Sequence, residues 1–130
     1  MPRSVSAVSL LVPDYDDGIA FYVGKLGFTL IEDTPLGDAK RWVLVSPDSG
    51  AQTCLLLARA ADDEQQSAIG HQAGGRVFLF LKTDDFDADF ERFTSAGVRF
   101  LEAPRDEAYG KVAVFADPFG NKWDLIQNRS

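Results

Sequence analysis

The chain holds one cysteine, Cys54, and one histidine, His71, among 130 residues. A single cysteine cannot close an internal disulfide. Its neighbours, Thr53-Cys-Leu-Leu-Leu57, read as a buried strand, so packing is its expected role. No apolar run approaches the ~20 residues that a membrane-spanning helix needs. The N-terminal MPRSVSAVSLLVPDY lacks a basic segment followed by an apolar stretch and a small-residue cleavage site, so secretion is not indicated and a cytoplasmic location is expected. Clustered basic charge is missing too. The 13 Lys and Arg face 20 Asp and Glu for a net charge of −7, with the acids spread along the chain. Phosphate backbones are recognised by concentrated Lys and Arg, so a nucleic-acid partner is not expected, and nor is a membrane partner. What remains, 45% apolar and 25% charged residues, is ordinary for a globular protein of one-domain length.

Hydrophobic periodicity repeats itself along the chain. Val5 to Val12 alternates as a strand and Pro13 ends it. Asp14 is placed to cap a helix with Asp16 and Asp17 in its first turn. Ile19, Tyr22, Val23 and Leu26 recur at helical spacing, and Gly27 suits a left-handed helix end. The second half follows the same order. Val77 to Leu81 is a strand, Asp84-Asp85 open a helix striped by Phe86, Phe90 and Phe93, and Gly97 closes it. Shifting the chain by about 70 positions lays Asp14 on Asp84, Gly27 on Gly97 and Phe28–Glu32 on Val98–Glu102. Three strand-like runs follow each helix: Phe28 to Glu32, Arg41 to Val45 and Thr53 to Ala58, then Val98 to Glu102, Val112 to Ala116 and Lys122 to Gln127. The pattern predicts an α+β fold of two βαβββ modules, residues 5–58 and 76–128, within a single domain spanning 1–130. The polar, glycine-rich linker 59–75 joins them, with a helical turn or two around Asp62 to Gln66. Neither module alone can bury both its helix stripe and its sheet. Two curved sheets enclosing a cleft, or modules exchanged between chains, are therefore expected.

Three motifs sit on this frame: Val12-Pro-Asp-Tyr-Asp-Asp-Gly-Ile-Ala-Phe-Tyr22 leading to Leu26-Gly-Phe28, Gly75-Arg-Val-Phe-Leu-Phe-Leu81, and Val114-Phe-Ala-Asp-Pro-Phe-Gly-Asn-Lys-Trp-Asp-Leu-Ile126. With them the sequence resembles the glyoxalase / bleomycin-resistance / extradiol-dioxygenase superfamily, the vicinal oxygen chelate proteins, over nearly its whole length. The resemblance implies mixed sheets cupped around a cleft and a homodimer. It does not fix a reaction, since this scaffold carries lyases, isomerases, dioxygenases, thiol transferases and drug-sequestering proteins. Metal-using members draw one ligand from each of four strands so that a divalent ion can bind two vicinal substrate oxygens. Carried over residue by residue, those positions fall on Ala7, at or next to Leu55, on or near Phe78, and on Asp124. Only Asp124 can donate to a metal, and one carboxylate does not hold a catalytic ion against water. His71 lies in the linker, where solvent exposure is expected.

The expected metal set is therefore empty, and no cofactor is predicted. Strand parity sends Lys122, Asp124 and Ile126 to one face of the last strand and Trp123 and Leu125 to the helix side. By the same resemblance Ala7, Ser9 and Leu11, with Phe78 and Phe80, face the cleft. Trp42 and Tyr109 add aromatic surface, and Arg105 can grip a ligand carboxylate. The expected ligand-binding set is thus Ser9, Trp42, Phe78, Phe80, Arg105, Tyr109 and Asp124, with Asp124 also the candidate general base if apolar walls raise its pKa. The expected function is metal-independent capture of a small aromatic or amphipathic molecule. The alternative is a glyoxalase-like lyase or isomerase, or a dioxygenase, using Fe, Mn, Ni or Zn at a site rearranged around Asp124, Glu102 or His71. A third reading places the function on a dimeric surface.

Overall fold

The computed structural model describes residues 2–129 and divides into two compact units, the first ending at Ile69 and the second starting at Gly70. Unit 1 contains β1 (Ala7–Val12), α1 (Tyr15–Ile19), a π-helical segment Ala20–Lys25, β2 (Thr29–Gly37), β3 (Lys40–Ser46), β4 (Cys54–Arg59) and α2 (Asp63–Ala68). Unit 2 contains β5 (Val77–Lys82), α3 (Phe86–Ser95), β6 (Arg99–Phe100), β7 (Arg105–Glu107), β8 (Gly110–Ala116) and β9 (Lys122–Asn128). The sheet of unit 1 runs β1-β4-β3-β2 and that of unit 2 runs β5-β9-β8-β6, with β7 also on β8. In each sheet the first strand of the module pairs parallel with its last, and the other pairs are antiparallel. The result is two curved mixed sheets in an α+β fold, as the repeated pattern predicts. Among the described residues no helix is long and apolar enough to cross a membrane.

Local chemistry explains the helices. The Asp14 carboxylate accepts the N–H groups of Asp16 and Asp17, and that of Asp85 accepts the N–H of Ala88. Both aspartates satisfy donors that the first helical turn leaves open. Gly27 and Gly97, at φ 74° and 91°, turn the chain out of each helix. The first helix departs from the expected regular spacing. Leu26 donates to the Phe21 carbonyl five residues back at 2.9 Å. The wider turn directs the adjacent Phe21 and Tyr22 inward together, so both are buried while Ile19 and Val23 are only half-buried.

α1 and α3 each cover one face of their sheet. In unit 1 Leu10, Val12, Val43, Val45, Leu55 and Leu57 are buried on the side of α1. Gly18 makes the approach close, since a Cβ there would lie 3.0 Å from Leu57 Cδ1. In unit 2 Phe93 of α3 meets Phe115, which stacks on Trp123 at 5.9 Å between ring centroids. The turn Asp117–Asn121 joining β8 to β9 is structural. Asp117 Oδ1 accepts the N–H groups of Phe119 and Asn121, and Oδ2 accepts Asn121 Nδ2, with both residues buried.

The two units match pair by pair. Ala7↔Cys54, Val8↔Leu55 and Ser9↔Leu56 in unit 1 correspond to Val77↔Lys122, Leu79↔Trp123 and Phe80↔Asp124 in unit 2. Phe78 has no counterpart, because it is the extra residue of a β-bulge between Val77 and Leu79. That insertion moves the residues from Leu79 to the helix start by one position, and the wider π-helical turn of unit 1 restores the original spacing by Gly27 and Gly97. The helix cap equivalent to Asp14 is accordingly Asp85, not the Asp84 that a uniform shift selects. A second difference lies between the strand-like runs Val98 to Glu102 and Val112 to Ala116, where the structure adds β7. The continuous β2 of unit 1 corresponds to β6 and β7 together, interrupted around Pro104. A proline removes a ladder donor, which is compatible with such a break.

Candidate functional site

The face of the unit 2 sheet opposite α3 carries a row of side chains fixed by register. Phe80 on β5 stands opposite Asp124 on β9, and Asp124 stands opposite Val114 on β8. Residues paired in this way project from the same face. Beyond Val114 the row ends at Glu102, whose Oε2 accepts the Val114 backbone N–H at 3.0 Å. The carboxylate thus occupies the place that a backbone carbonyl would take had β6 continued. Leu101 completes the contact by donating its N–H to the Val114 carbonyl at 2.8 Å.

Asp124 is the unusual member of this row. Its Oδ1 is buried and has no hydrogen-bond partner within the protein. Burial pushes its carboxyl pKa up, the positive charge of Arg105 pulls it down, and the negative charge of Glu102 pushes it up again. A buried acceptor left unpaired is costly, so the row offers a ligand donor a place to bind. Phe80, 65% exposed, supplies a bare aromatic surface beside it. Lys122, on the same face, donates its Nζ to the Gly75 carbonyl at 3.1 Å.

Arg105 is committed inside the protein. Its Nε lies 3.1 Å from both Glu102 oxygens and its guanidinium meets Glu107 Oε1 at 2.6 Å. These two carboxylates hold its pKa above the usual arginine value and occupy the fork that the sequence reading assigned to a ligand. Tyr109, half exposed, is in the turn between β7 and β8. It adjoins Gly110, four strand residues from Val114, or about 13 Å from the Asp124 row. Phe78 occupies the bulge, so alternation does not give its ring the direction of Phe80.

Ser9 and Trp42 belong to unit 1. Ser9 pairs with Leu56, and Leu56 with Leu44, on the face away from α1; Trp42 shares that face by alternation with Leu44 and is 40% exposed. The counterpart of Asp124 in the repeat is Leu56, whereas Leu55 is buried on the helix side like Trp123. His71 is exposed near the start of unit 2, and Cys54 is half-buried on β4 of unit 1. Among the described residues no group of three or more His, Cys, Asp or Glu side chains is arranged to hold a metal. Within unit 2 the groups beside Asp124 do not fit a divalent ion: Phe80 has no donor atom, and Glu102 is engaged by Arg105 and Val114. The structural use of Glu102 had no signal in the sequence beyond its alignment with Glu32.

These two βαβββ units define the class of scaffold, and comparison with known proteins gives its family. The profile of the Glyoxalase/Bleomycin resistance protein/Dioxygenase superfamily matches residues 4–125. An uncharacterized protein of Shewanella frigidimarina (strain NCIMB 400) is 53% identical over 128 residues, covering 98% of this chain and 95% of that protein. The crystal structure of UcmS2 superimposes with a TM-score of 0.84 at 30% identity, covering 97% of this chain and 98% of that one. TnmS3, an antibiotic binding protein from Streptomyces sp. CB03234, does so with a TM-score of 0.79 at 33% identity over 98% of both chains. The chain belongs to the glyoxalase/bleomycin resistance protein/dioxygenase superfamily.

Proposed function

We propose that this protein binds a small aromatic or amphipathic molecule on the open face of the unit 2 sheet, without a metal ion. The observation that carries the reading is the buried, unpartnered Oδ1 of Asp124 directly across from the exposed ring of Phe80. A hydroxyl or N–H of the ligand donates to Asp124 while its apolar part covers Phe80, removing an unsatisfied acceptor and an exposed ring in one event. The likeness to TnmS3, described as an antibiotic binding protein, supports a ligand of this kind. Asp124 is the residue on which binding turns and, should a reaction accompany it, the group placed to exchange a proton. Phe78 and Tyr109 are further contacts of this reading within unit 2, Arg105 acts through Glu102 and the field at Asp124, and Ser9 and Trp42 are contacts on the sheet of unit 1.

The same reading makes the protein a cytoplasmic homodimer. Exposed Leu30, Ile31 and Leu36 on the edge strand β2 support a self-association surface. Light scattering on the purified chain tests this directly, and a monomer at all accessible concentrations removes it.

The ligand reading is tested by thermal shift against a panel of aromatic acids and antibiotics, with elemental analysis of protein purified without chelator. A compound present at 100 times its dissociation constant adds ~2.7 kcal/mol of stability, and Asp124→Ala is expected to weaken its binding at least tenfold. No shift with any compound overturns the proposal. Stoichiometric Fe, Mn, Ni or Zn that Asp124→Ala abolishes would favour a lyase or dioxygenase instead.

A further inference from the structure

In unit 1 the hairpin of β3 and β4 pairs only from Val45↔Leu55 to Val43↔Leu57, although both strands continue beyond it. The corresponding hairpin of unit 2 stays paired from Ala116↔Lys122 down to Gly110↔Asn128. Where the unit 1 strands part, a cavity of about 380 Å³ opens between Trp42 and Lys40 on one side and Ala58 and Arg59 on the other. Leu56, Leu57, Ala58, Ala60 and Ala61 give it apolar walls. Its size falls in the range of small-molecule sites.

Charge distinguishes this cavity from the rest of an acidic chain. The Arg41 and Arg59 guanidinium groups lie 5.3 and 5.4 Å from the centroid of the same Tyr15 ring. Arg41 is neutralised by Asp33 at 2.7 Å and Asp16 at 2.9 Å. Arg59 has no carboxylate partner among the described residues, and neither has Lys40. The repeat provides the control. Lys111 stands over Phe86 and pairs with Asp87 as Arg41 stands over Tyr15 and pairs with Asp16. The position of Arg59, however, is taken in unit 2 by Gln127, whose Oε1 accepts the Phe86 N–H at 2.8 Å and ties strand to helix. Unit 1 has a cation in place of that internal tie, at the mouth of an open cavity.

We infer that the cavity between the parted ends of β3 and β4 is a second binding site, taking an aromatic monocarboxylate. The carboxylate meets the Arg59 fork and the Lys40 ammonium, and the ring lies between the Trp42 indole and the apolar wall at Leu56 and Ala58. An inorganic anion would leave that apolar wall unused, so the walls select an organic acid. Every residue lining this site belongs to unit 1, and none of them is in the Asp124 row.

The test is titration of the full chain with 2-naphthoate, its neutral counterpart 2-naphthalenemethanol and inorganic phosphate, read by calorimetry and by tryptophan fluorescence. Trp42 should respond, because Trp123 is 3% exposed and shielded. Naphthoate is expected to bind one saturable site at least tenfold more tightly than the alcohol. Arg59→Gln, Lys40→Gln and Ala58→Leu, the last filling the cavity without changing charge, are each expected to lose at least tenfold, and Asp124→Asn less than twofold. Circular dichroism identifies any variant that fails to fold, and the others then decide the matter. Equal binding of the alcohol, retained affinity in the folded variants, or displacement by equimolar phosphate overturns the inference. Loss in Asp124→Asn alone would assign naphthoate to unit 2, overturning the second site while supporting the first.

Discussion

Phe80 stands directly opposite Asp124 in the parallel β5–β9 ladder, so an exposed ring and a carboxylate with one buried oxygen share one row of the unit 2 sheet. Burial, the largest influence, raises the Asp124 pKa above its ordinary 3.8. A carboxyl raised on folding contributes its full stability below the unfolded value and loses that contribution as pH rises through the folded one. Asp124→Asn removes this titration. Its melting temperature relative to the unsubstituted protein should therefore increase from about pH 3 to about pH 7, on either side of the carboxylate range. A difference that stays flat across that interval would mean that Asp124 is solvated.

Glu102 replaces a backbone acceptor for Val114, and its two substitutions separate that role from its charge. Glu102→Gln keeps an oxygen for the Val114 N–H and loses only the pairing with Arg105. Glu102→Ala leaves the N–H unpaired and should be less stable than Glu102→Gln by ~1 kcal/mol in urea denaturation. Equal stability of the two would deny the hydrogen bond its structural part.

Gly70 lies against the Asp117–Asn121 turn at φ 72°, where an added Cβ would come within 1.9 Å of the Phe119 carbonyl oxygen. Gly70→Ala should cost ~1–2 kcal/mol for the left-handed backbone alone, with the steric clash added to it. Gly74, also left-handed but with open space around it, is the control. Gly74→Ala is expected to be the milder change in the same unfolding assay, and the reverse order would contradict the packing of Gly70.

The repeated cation, ring and carboxylate groups differ in their number of direct ion pairs among the described residues. Arg41 makes ion pairs with both Asp33 and Asp16, whereas Lys111 makes one with Asp87 and feels Asp106 only at a distance. Arg41→Gln should therefore lower the melting temperature more than Lys111→Gln at low salt. The gap should narrow in 1 M salt, where screening reaches about 3 Å. A gap insensitive to salt would point to packing on Tyr15 instead of charge.

Much of the fold was legible because its signals are local. Helix caps at Asp14 and Asp85, left-handed glycines at Gly27 and Gly97, and alternation along β9 all depend on neighbours within a few residues. The π-helical segment was hidden because Phe21 and Tyr22 do not share a regular helix face. The β7 strand was hidden because its three residues, Arg105 to Glu107, are charged and pair only across a hairpin. For the site, alternation was enough to separate Asp124 from Trp123, whereas the expectation for Phe78 assumed a ladder without a bulge. The sequence alone leaves Arg105 an open fork, because whether Glu102 and Glu107 turn toward it depends on the break between β6 and β7.

The sequence by itself determined the two βαβββ modules and their superfamily, since composition, periodicity and residue identity do not depend on packing. Only the tertiary structure decided that Asp124 Oδ1 is buried without a partner, that Glu102 substitutes for a missing strand, and that β3 and β4 part beside Arg59. Each of these rests on register, and register is set by pairing between strands far apart in the chain, where one bulged residue moves the side chains that follow it in the strand to new neighbours.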